Sequence, residues 1–167
     1  MKIPFFNYRA LYIEQKERID NVLNDVVSRG AYILQDDLYN FEIKLAGYCG
    51  VNHAIGVANG TDAIWLSLMA ANIGNDDEVI MPSHTYVATP AAVKFVRAKP
   101  ILVECGYDNM MESNHIEQAI TDKTKAIIPV QLNGRTCEMD EIDRIAEKND
   151  LLIIEDSAQG LGSLYKG

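Results

Sequence analysis

The sequence predicts an α/β fold in which a mostly parallel sheet is flanked by helices. From Val51 onward, short apolar runs alternate with segments of helical periodicity. The runs are apolar at successive positions, which is typical of parallel strands buried on both faces. The first fifty residues show helical patterns instead. We therefore expect an N-terminal helical segment over residues 1–50 and part of an α/β domain over residues 51–167.

Two helices are predicted in the first fifty residues. The stretch ALYIEQKERIDNVLNDVVSRG has apolar residues at helical spacing, and Gly30 marks its end. The stretch QDDLYNFEIKLAGYCG repeats the pattern, with Asp36 or Asp37 as the predicted N-cap. The apolar face of this second helix consists of Leu38, Phe41, Leu45 and Tyr48.

Five strands alternating with helices are predicted in the remainder. The strand segments are HAIGVAN, DEVIMP, PILVEC, KAIIPVQL and LLIIED. Helical patterns follow the first four, in GTDAIWLSLMAANIG, TPAAVKFVRA, SNHIEQAIT and EMDEIDRIAEKN. Sheets of this kind bind their ligands outside the carboxyl ends of the strands. The residues that follow each strand are therefore the candidate site residues.

Composition and charge restrict the class of protein. The chain has 167 residues, of which 48% are hydrophobic and 23% charged, as in soluble globular proteins. The net charge of −9 disfavours nucleic acid and anionic membranes as partners. Cys49, Cys105 and Cys137 lack the spacing of metal ligands, so we expect reduced thiols and no metal site. No leader peptide or membrane span is predicted, so the expected location is the cytoplasm.

Three predicted strands are followed by residues suited to a ligand. Gly60 and Thr61 begin a helix after the first strand, where unpaired N–H groups favour an anion. A plain N-cap by Asn59 or Thr61 would use the same stretch without a ligand. Tyr86 follows the second strand and can stack on a flat ligand, although a half-buried tyrosine is the simpler interpretation. Asp156 ends the last strand, with Gln159 one turn further on.

The carboxylate of Asp156 needs a partner, because burying an unpaired charge is costly. The candidates are a protonated ring nitrogen in a ligand, a metal ion, or Arg135. A metal ion would require further carboxylates or histidines here, and Glu155 points to the opposite side of the strand. A phosphate site, an aromatic plate and an aspartate for a ring nitrogen together describe pyridoxal 5′-phosphate (PLP). The predicted PLP-binding residues are Gly60, Thr61, Tyr86, Asp156 and Gln159.

The chain resembles the DegT/StrS-type nucleotide-sugar aminotransferases. Segments such as SRGAYILQDDLYNFEIKLAGYCGVNHAIGVANGTDAIWLSL, NIGNDDEVIMPSHTYVATPAAV and IIEDSAQGLGSLYKG match the N-terminal half of that family in order. The resemblance implies a type I aminotransferase fold, PLP, and transfer of an amino group, usually from glutamate, to a nucleotide-linked keto-sugar. It also implies a homodimer with sites at the subunit interface. By carry-over, the phosphate end is lined by Gly60, Thr61 and Asp62, the ring by Tyr86, the pyridine nitrogen by Asp156 and the ring oxygen by Gln159.

The sequence also departs from the family. Gln131 and Asn133 stand where the family often has His and Tyr, and Glu104 and Cys105 stand where it usually has Asp and Pro. The Schiff-base lysine of the family lies in a segment that would follow Gly167, and Lys166 matches a position that is usually a surface lysine. The expectation is a truncated chain that has no catalytic residue of its own and is inactive alone.

Two other functions stay open from the sequence. One is a PLP-dependent sugar dehydratase of the same fold, because the residue that separates the two chemistries is the one replacing the lysine. The other is a non-catalytic module that binds a nucleotide-sugar, PLP or a partner subunit. A dinucleotide-binding protein is disfavoured, because GVANGTD lacks the G-x-G-x-x-G pattern.

Overall fold

The computed structural model describes residues 3–167, which form two compact units. The first unit ends at Gly56 and contains two helices, α1 (Tyr8–Arg29) and α2 (Asp36–Cys49). The second unit, Val57–Gly167, contains a sheet and four further α-helices. No helix within residues 3–167 combines the length and the apolar character needed to cross a membrane.

Helices α1 and α2 are confirmed, with one correction. Helix α1 ends at Arg29 and is capped by Gly30, whose φ of 64° lies in the left-handed region that glycine adopts without strain. Helix α2 begins at Asp36, so the predicted N-cap is wrong and Gln35 holds that position. Asp36 and Asp37 lie instead in the first turn, where their negative charges are stabilised by the helix dipole.

The second unit is built on a four-stranded parallel sheet. Its strands are β1 (Glu78–Pro82), β2 (Lys99–Val103), β3 (Thr124–Ile127) and β4 (Leu152–Ile153), in the order β2-β1-β3-β4. Its helices are α3 (Gly60–Ala70), α4 (Ala88–Phe95), α5 (Ser113–Ala119) and α6 (Met139–Asn149). The predicted α/β class with a parallel sheet flanked by helices is confirmed.

The sheet separates two apolar clusters, which explains why its strands are apolar at successive positions. Ile80 and Ile127 pack with Ile116 of α5 and Ile142 of α6. The alternate strand residues pack with α3 and α4 in the second cluster, which includes Val79, Met81, Ala126, Leu68 and Val93. Because neighbouring residues of a strand point to opposite faces, both sets of side chains are removed from water.

The predicted first strand, HAIGVAN, is wrong. Residues 53–59 run without helix or strand pairing, and the side chain of Ile55 is 82% exposed. An extended segment becomes a strand only when a neighbour takes up its N–H and C=O groups, and no strand within residues 3–167 pairs with it. The chain therefore reaches α3 through irregular backbone.

The buried carboxylate of Glu78, the first residue of β1, forms hydrogen bonds to the start of β2 and to the segment before β3. Glu78 accepts a hydrogen bond from Thr121 Oγ1 at 2.6 Å and one from Lys99 Nζ at 2.9 Å. The hydroxyl of Thr121, followed by the ammonium of Lys99, lowers the pKa of Glu78 below its ordinary value of 4.5. A carboxyl with a lowered pKa in the folded state stabilises the fold above its unfolded pKa, and this contribution is lost as the pH falls.

We expect Glu78→Gln to lower the melting temperature at pH 7 by on the order of 5 °C, because the amide cannot accept both hydrogen bonds or pair with Lys99. Thermal unfolding followed by circular dichroism between pH 3 and pH 7 measures this effect. The difference from the wild type should shrink as the pH falls below the ordinary carboxyl value of 4.5. Glu17→Gln, at an exposed position of α1, is the control and should unfold like the wild type. A pH-independent difference for Glu78→Gln would contradict the assigned cause.

Candidate active site

A cleft of about 290 Å³ opens at the carboxyl ends of the strands. Five of the six predicted cofactor-binding residues line it, namely Gly60, Thr61, Tyr86, Asp156 and Gln159. They come from the start of α3, the segment after β1 and the segment after β4. The topology therefore brings these sequence-distant positions to one place.

The N-terminus of α3 faces this cleft with two open N–H groups. Asn59 is the N-cap, and its Oδ1 accepts the N–H of Asp62 at 2.9 Å. The N–H groups of Gly60 and Thr61 have no acceptor among residues 3–167. Capping by Asn59 is compatible with the predicted anion site, because it uses the third N–H of the helix and leaves the first two open. A Cβ added at Gly60 would meet nothing within 4 Å, so the approach to these groups is open.

Asp62 does not line the cleft. Its Oδ1 accepts a hydrogen bond from Trp65 Nε1 at 2.9 Å, and its Oδ2 accepts one from Asn59 Nδ2 at 3.1 Å. Both carboxylate oxygens are therefore occupied, one by the N-cap residue and one by Trp65 of the same helix. This arrangement holds the cap in shape and keeps the negative charge of Asp62 engaged away from the cleft.

Tyr86 presents an exposed ring at the mouth of the cleft. The residue is 71% exposed, so its interpretation as a half-buried tyrosine is wrong. Its backbone carbonyl accepts the N–H of Thr89 at 3.1 Å, which fixes the turn into α4. No aromatic or cation–π contact with this ring is found in the described part of the chain, so its face is open to a flat ligand in the cleft.

Asp156 is held at the base of the cleft by its backbone and its side chain. Its N–H donates to the carbonyl of Pro129 at 2.9 Å, and its carbonyl accepts the N–H of Gln131 at 3.0 Å. The residue is 9% exposed, and its Oδ2 accepts a hydrogen bond from Thr89 Oγ1 at 2.8 Å. Its Oδ1 accepts a longer hydrogen bond, 3.3 Å, from the N–H of Ala158.

Arg135, one of the other partners considered for Asp156, contacts a different segment. The guanidinium of Arg135 donates to the backbone carbonyl of Asp108 at 3.0 Å, and Arg135 does not line the cleft. Within residues 3–167, no three or more side chains of His, Cys, Asp and Glu converge to hold a metal ion. Thr89, which sequence reasoning missed, is the side-chain partner that the structure provides.

Gln159 is oriented by the turn that follows β3. Its Oε1 accepts the backbone N–H of Asn133 at 2.8 Å, and Asn133 has a φ of 55°. Since the amide oxygen is occupied, the NH₂ group is what Gln159 can offer to a molecule in the cleft. The side chain therefore suits a ligand atom that accepts a hydrogen bond.

The residues that depart from the resembled family have structural contacts of their own. Gln131 is buried, and its Oε1 accepts the N–H of Cys137 at 2.7 Å. Cys105 forms an isolated antiparallel bridge with Met111 in the segment after β2. These positions shape the turns around the cleft, and none of them lines it.

Lys166 does not contribute to the cleft. Its ammonium forms an ion pair with Asp140 of α6 and lies 5.2 Å from the ring centroid of Tyr165. The hydrogen bond to Asp140 raises the pKa of Lys166, which keeps its amine protonated. The residues that line the cleft include no lysine.

A wider cleft of about 570 Å³ lies beside the segment that joins β2 to α5. Its lining includes the carboxylates of Asp108, Glu112 and Glu138. None of the predicted site residues reaches it, and its acidic lining is unsuited to a phosphorylated ligand. The smaller cleft is therefore the candidate active site.

The cleft of this parallel α/β fold thus combines a helix start with open N–H groups, which can bind an anion, with an exposed aromatic ring and a buried carboxylate. The particular family follows from comparison with known proteins. The profile of the DegT/DnrJ/EryC1/StrS aminotransferase family matches residues 13–167, and the chain belongs to this family. The predicted family is thereby confirmed.

Similar proteins carry related chemistry. The chain is 43% identical over 166 residues to a dTDP-3-amino-3,6-dideoxy-alpha-D-galactopyranose transaminase of Aneurinibacillus thermoaerophilus, covering 99% of this chain and 46% of the relative. It is 40% identical to DesV of S. venezuelae, solved with a ketimine intermediate, with a TM-score of 0.94 over 96% of this chain and 44% of that one. It is 36% identical to NtdA of Bacillus subtilis, solved with bound cofactor PMP, with a TM-score of 0.93 over 96% of this chain and 38% of that one. The chain thus spans less than half the length of these proteins.

Proposed function

We propose that this chain carries the cofactor-binding part of a PLP-dependent aminotransferase that transfers an amino group, with glutamate as donor, to a keto-sugar linked to a nucleotide. The observation that carries the proposal is the buried carboxylate of Asp156 in the same cleft as the two open N–H groups of α3. The family match and the sugar transaminase among the relatives support the substrate class.

Each of the six predicted cofactor-binding residues has a proposed role. The N–H groups of Gly60 and Thr61 bind the phosphate, while Asp62 holds the first turn of α3 around them. Asp156 accepts a hydrogen bond from the protonated pyridine nitrogen. Tyr86 covers one face of the ring, and the NH₂ group of Gln159 donates to the ring oxygen. When bound, PLP supplies a ring that stabilises negative charge on the carbon undergoing amino transfer.

The donor set fits this cofactor in both charge and shape. A phosphate group requires N–H donors and favours the positive end of a helix dipole, as at the start of α3. A protonated ring nitrogen requires an anionic acceptor in a site of low dielectric, as at Asp156. The domain boundary near residue 50, a cytoplasmic homodimer and the lack of turnover by this chain alone are parts of the same proposal.

The test is a calorimetric titration of the chain with pyridoxamine 5′-phosphate (PMP) at neutral pH. PMP is the suitable probe because its amine does not condense with surface lysines, as the aldehyde of PLP does. We expect saturable binding of one PMP per chain, much weaker binding of pyridoxamine, which lacks the phosphate, and competition by inorganic phosphate. Absence of binding by a chain that is folded by circular dichroism would refute the proposal.

A second measurement separates binding from turnover. After incubation with PLP and borohydride, intact mass and peptide mapping should show no modification of a lysine in the cleft, because none lines it. Modification confined to a single lysine, blocked by an excess of PMP, would contradict this expectation.

A further inference from the structure

The hydroxyl groups of Thr85 and Thr89 are hydrogen-bonded to each other, and that of Thr89 is hydrogen-bonded to the carboxylate of Asp156. Thr89 in the first turn of α4 is fully buried, and it reaches Asp156 across 67 positions of sequence. The Oγ1 atoms of Thr85 and Thr89 are 2.8 Å apart, and Thr85 lines the cleft. The three side chains thus form a continuous hydrogen-bonded path that begins and ends at the cleft.

The donor and acceptor in each of these hydrogen bonds follow from the single hydrogen that each threonine hydroxyl carries. A threonine hydroxyl has one hydrogen, and Thr89 donates it to Oδ2 of Asp156. Thr89 must therefore accept from Thr85, which gives the order Thr85 to Thr89 to Asp156. Both donors point toward the carboxylate, and each hydrogen bond polarises the next.

The arrangement leaves one carboxylate oxygen for a ligand. The backbone of Asp156 is fixed by Pro129 and Gln131, and its Oδ2 is fixed by Thr89. Among residues 3–167, its Oδ1 receives only the 3.3 Å hydrogen bond from the N–H of Ala158. Rotation of the carboxylate would break the bond to Thr89 and leave a buried hydroxyl without an acceptor, which is costly.

Thr89 is the second residue of α4, and Thr85 lies in the segment before this helix. The hydroxyl of Thr89 donates to Asp156, which is distant in sequence, and accepts from Thr85. It therefore links the start of α4 to the segment after β4.

We propose that Thr85 and Thr89 are positioning residues that lock the carboxylate of Asp156 with Oδ1 toward the ring nitrogen of the cofactor. The proposal rests on the proposed function for the identity of the ligand. Its geometric part, the fixed orientation of the carboxylate, holds in the free chain and is tested there separately.

The test compares Thr89→Val with Thr89→Ser by PMP titration. Valine keeps the shape of threonine and removes the donor, whereas serine keeps the donor and removes a methyl group. We expect Thr89→Val to weaken PMP binding about tenfold, and Thr89→Ser to stay within about threefold of the wild type. Thr85→Val should have a smaller effect than Thr89→Val, because Thr89 can still donate to Asp156.

A double-mutant cycle distinguishes positioning from general destabilisation. If Thr89 acts through Asp156, Thr89→Val should weaken binding no further in an Asp156→Asn background. Equal losses for the valine and serine variants, or additive losses in the cycle, would overturn the proposal. The proposal would also be overturned if Thr89→Val bound PMP as tightly as the wild type while Asp156→Asn bound it poorly. That result would leave the proposed function standing.

A measurement without cofactor completes the test. Crystal structures of the free wild type and Thr89→Val should show one carboxylate rotamer of Asp156 in the first and a rotated or divided carboxylate in the second. An unchanged single rotamer in Thr89→Val would overturn the proposed lock, whether or not PMP binds. Failure of the wild type to bind PMP, with the expected rotamer change present, would refute the proposed function and the ligand assigned to Oδ1.

Discussion

Replacing Asp156 by asparagine should weaken the binding of PMP by roughly 30-fold or more, because it removes the buried negative charge opposite the protonated ring nitrogen. Asparagine has nearly the same shape as aspartate, and its Oδ1 can still accept the hydrogen bond from Thr89. The fold should therefore persist while the ligand loses its charged partner. Calorimetric titration of the two proteins with PMP measures the change, and thermal unfolding checks that the variant is folded.

The matched control for this prediction is Glu155→Gln. Glu155 is the neighbouring residue, it is exposed, and it does not line the cleft, so the substitution changes the net charge by the same amount. We expect Glu155→Gln to bind PMP like the wild type. Equal weakening by both substitutions would assign the effect to long-range charge, and wild-type binding by Asp156→Asn would remove Asp156 from the proposed site.

Most of the sheet could be predicted from the sequence because its strands lie in apolar runs, of which β1 is buried at every position. DEVIMP contains the whole of β1, whereas PILVEC and KAIIPVQL each begin one residue after the first residue of β2 or β3. The last run, LLIIED, contributes only Leu152 and Ile153 to β4, followed by an isolated bridge between Val130 and Asp156. Apolar periodicity therefore locates the strands better than their ends.

The failed strand shows the limit of this reasoning. HAIGVAN is about as apolar as the runs that do form strands. An apolar run indicates which side chains can be buried, but it does not indicate whether a neighbouring strand is present to pair with it. Ile55 is exposed, and no strand in the described part of the chain pairs with this segment. The predicted N-cap of α2 was wrong because aspartate is favourable both as an N-cap and in the first turn of a helix, so its presence does not fix the first helical residue.

The candidate site could be predicted because parallel strands place their carboxyl ends at one edge. That rule brings Tyr86 and Asp156 into one cleft although they lie about seventy residues apart. Gly60 also lines the cleft, at the start of α3, although no strand precedes it. The rule could not identify Thr89, which in sequence is an ordinary polar residue near the start of a helix. Only the tertiary contact with Asp156 distinguishes it. A usable signal was present, since Thr85 and Thr89 lie four positions apart in sequence, on either side of Tyr86.

The close approach of two turns explains a further constraint on the site. Gly160 is buried, and a Cβ added there would lie 2.8 Å from Cβ of Gln131 and 3.6 Å from its carbonyl oxygen. Gln131 cannot yield easily, because its N–H bonds to Asp156 and its Oε1 accepts the N–H of Cys137. The absence of a side chain at Gly160 thus allows the segment carrying Asp156 and Gln159 to lie against the turn after β3.

Gly160→Ala should therefore destabilise the fold by roughly 1–3 kcal/mol, because the added methyl group forces these two turns apart. PMP binding should weaken as well, since the hydrogen bond between Asn133 N–H and Gln159 Oε1 spans the same gap. Chemical denaturation and PMP titration measure the two effects.

The control is Gly74→Ala, whose Cβ would meet only the carbonyl oxygen of Val96 at an ordinary 3.6 Å, and whose φ is not positive. This control should retain wild-type stability within about 0.5 kcal/mol or gain slightly from its less flexible unfolded chain. Equal stability changes in the two variants would show that the contact with Gln131 is not what requires glycine at position 160.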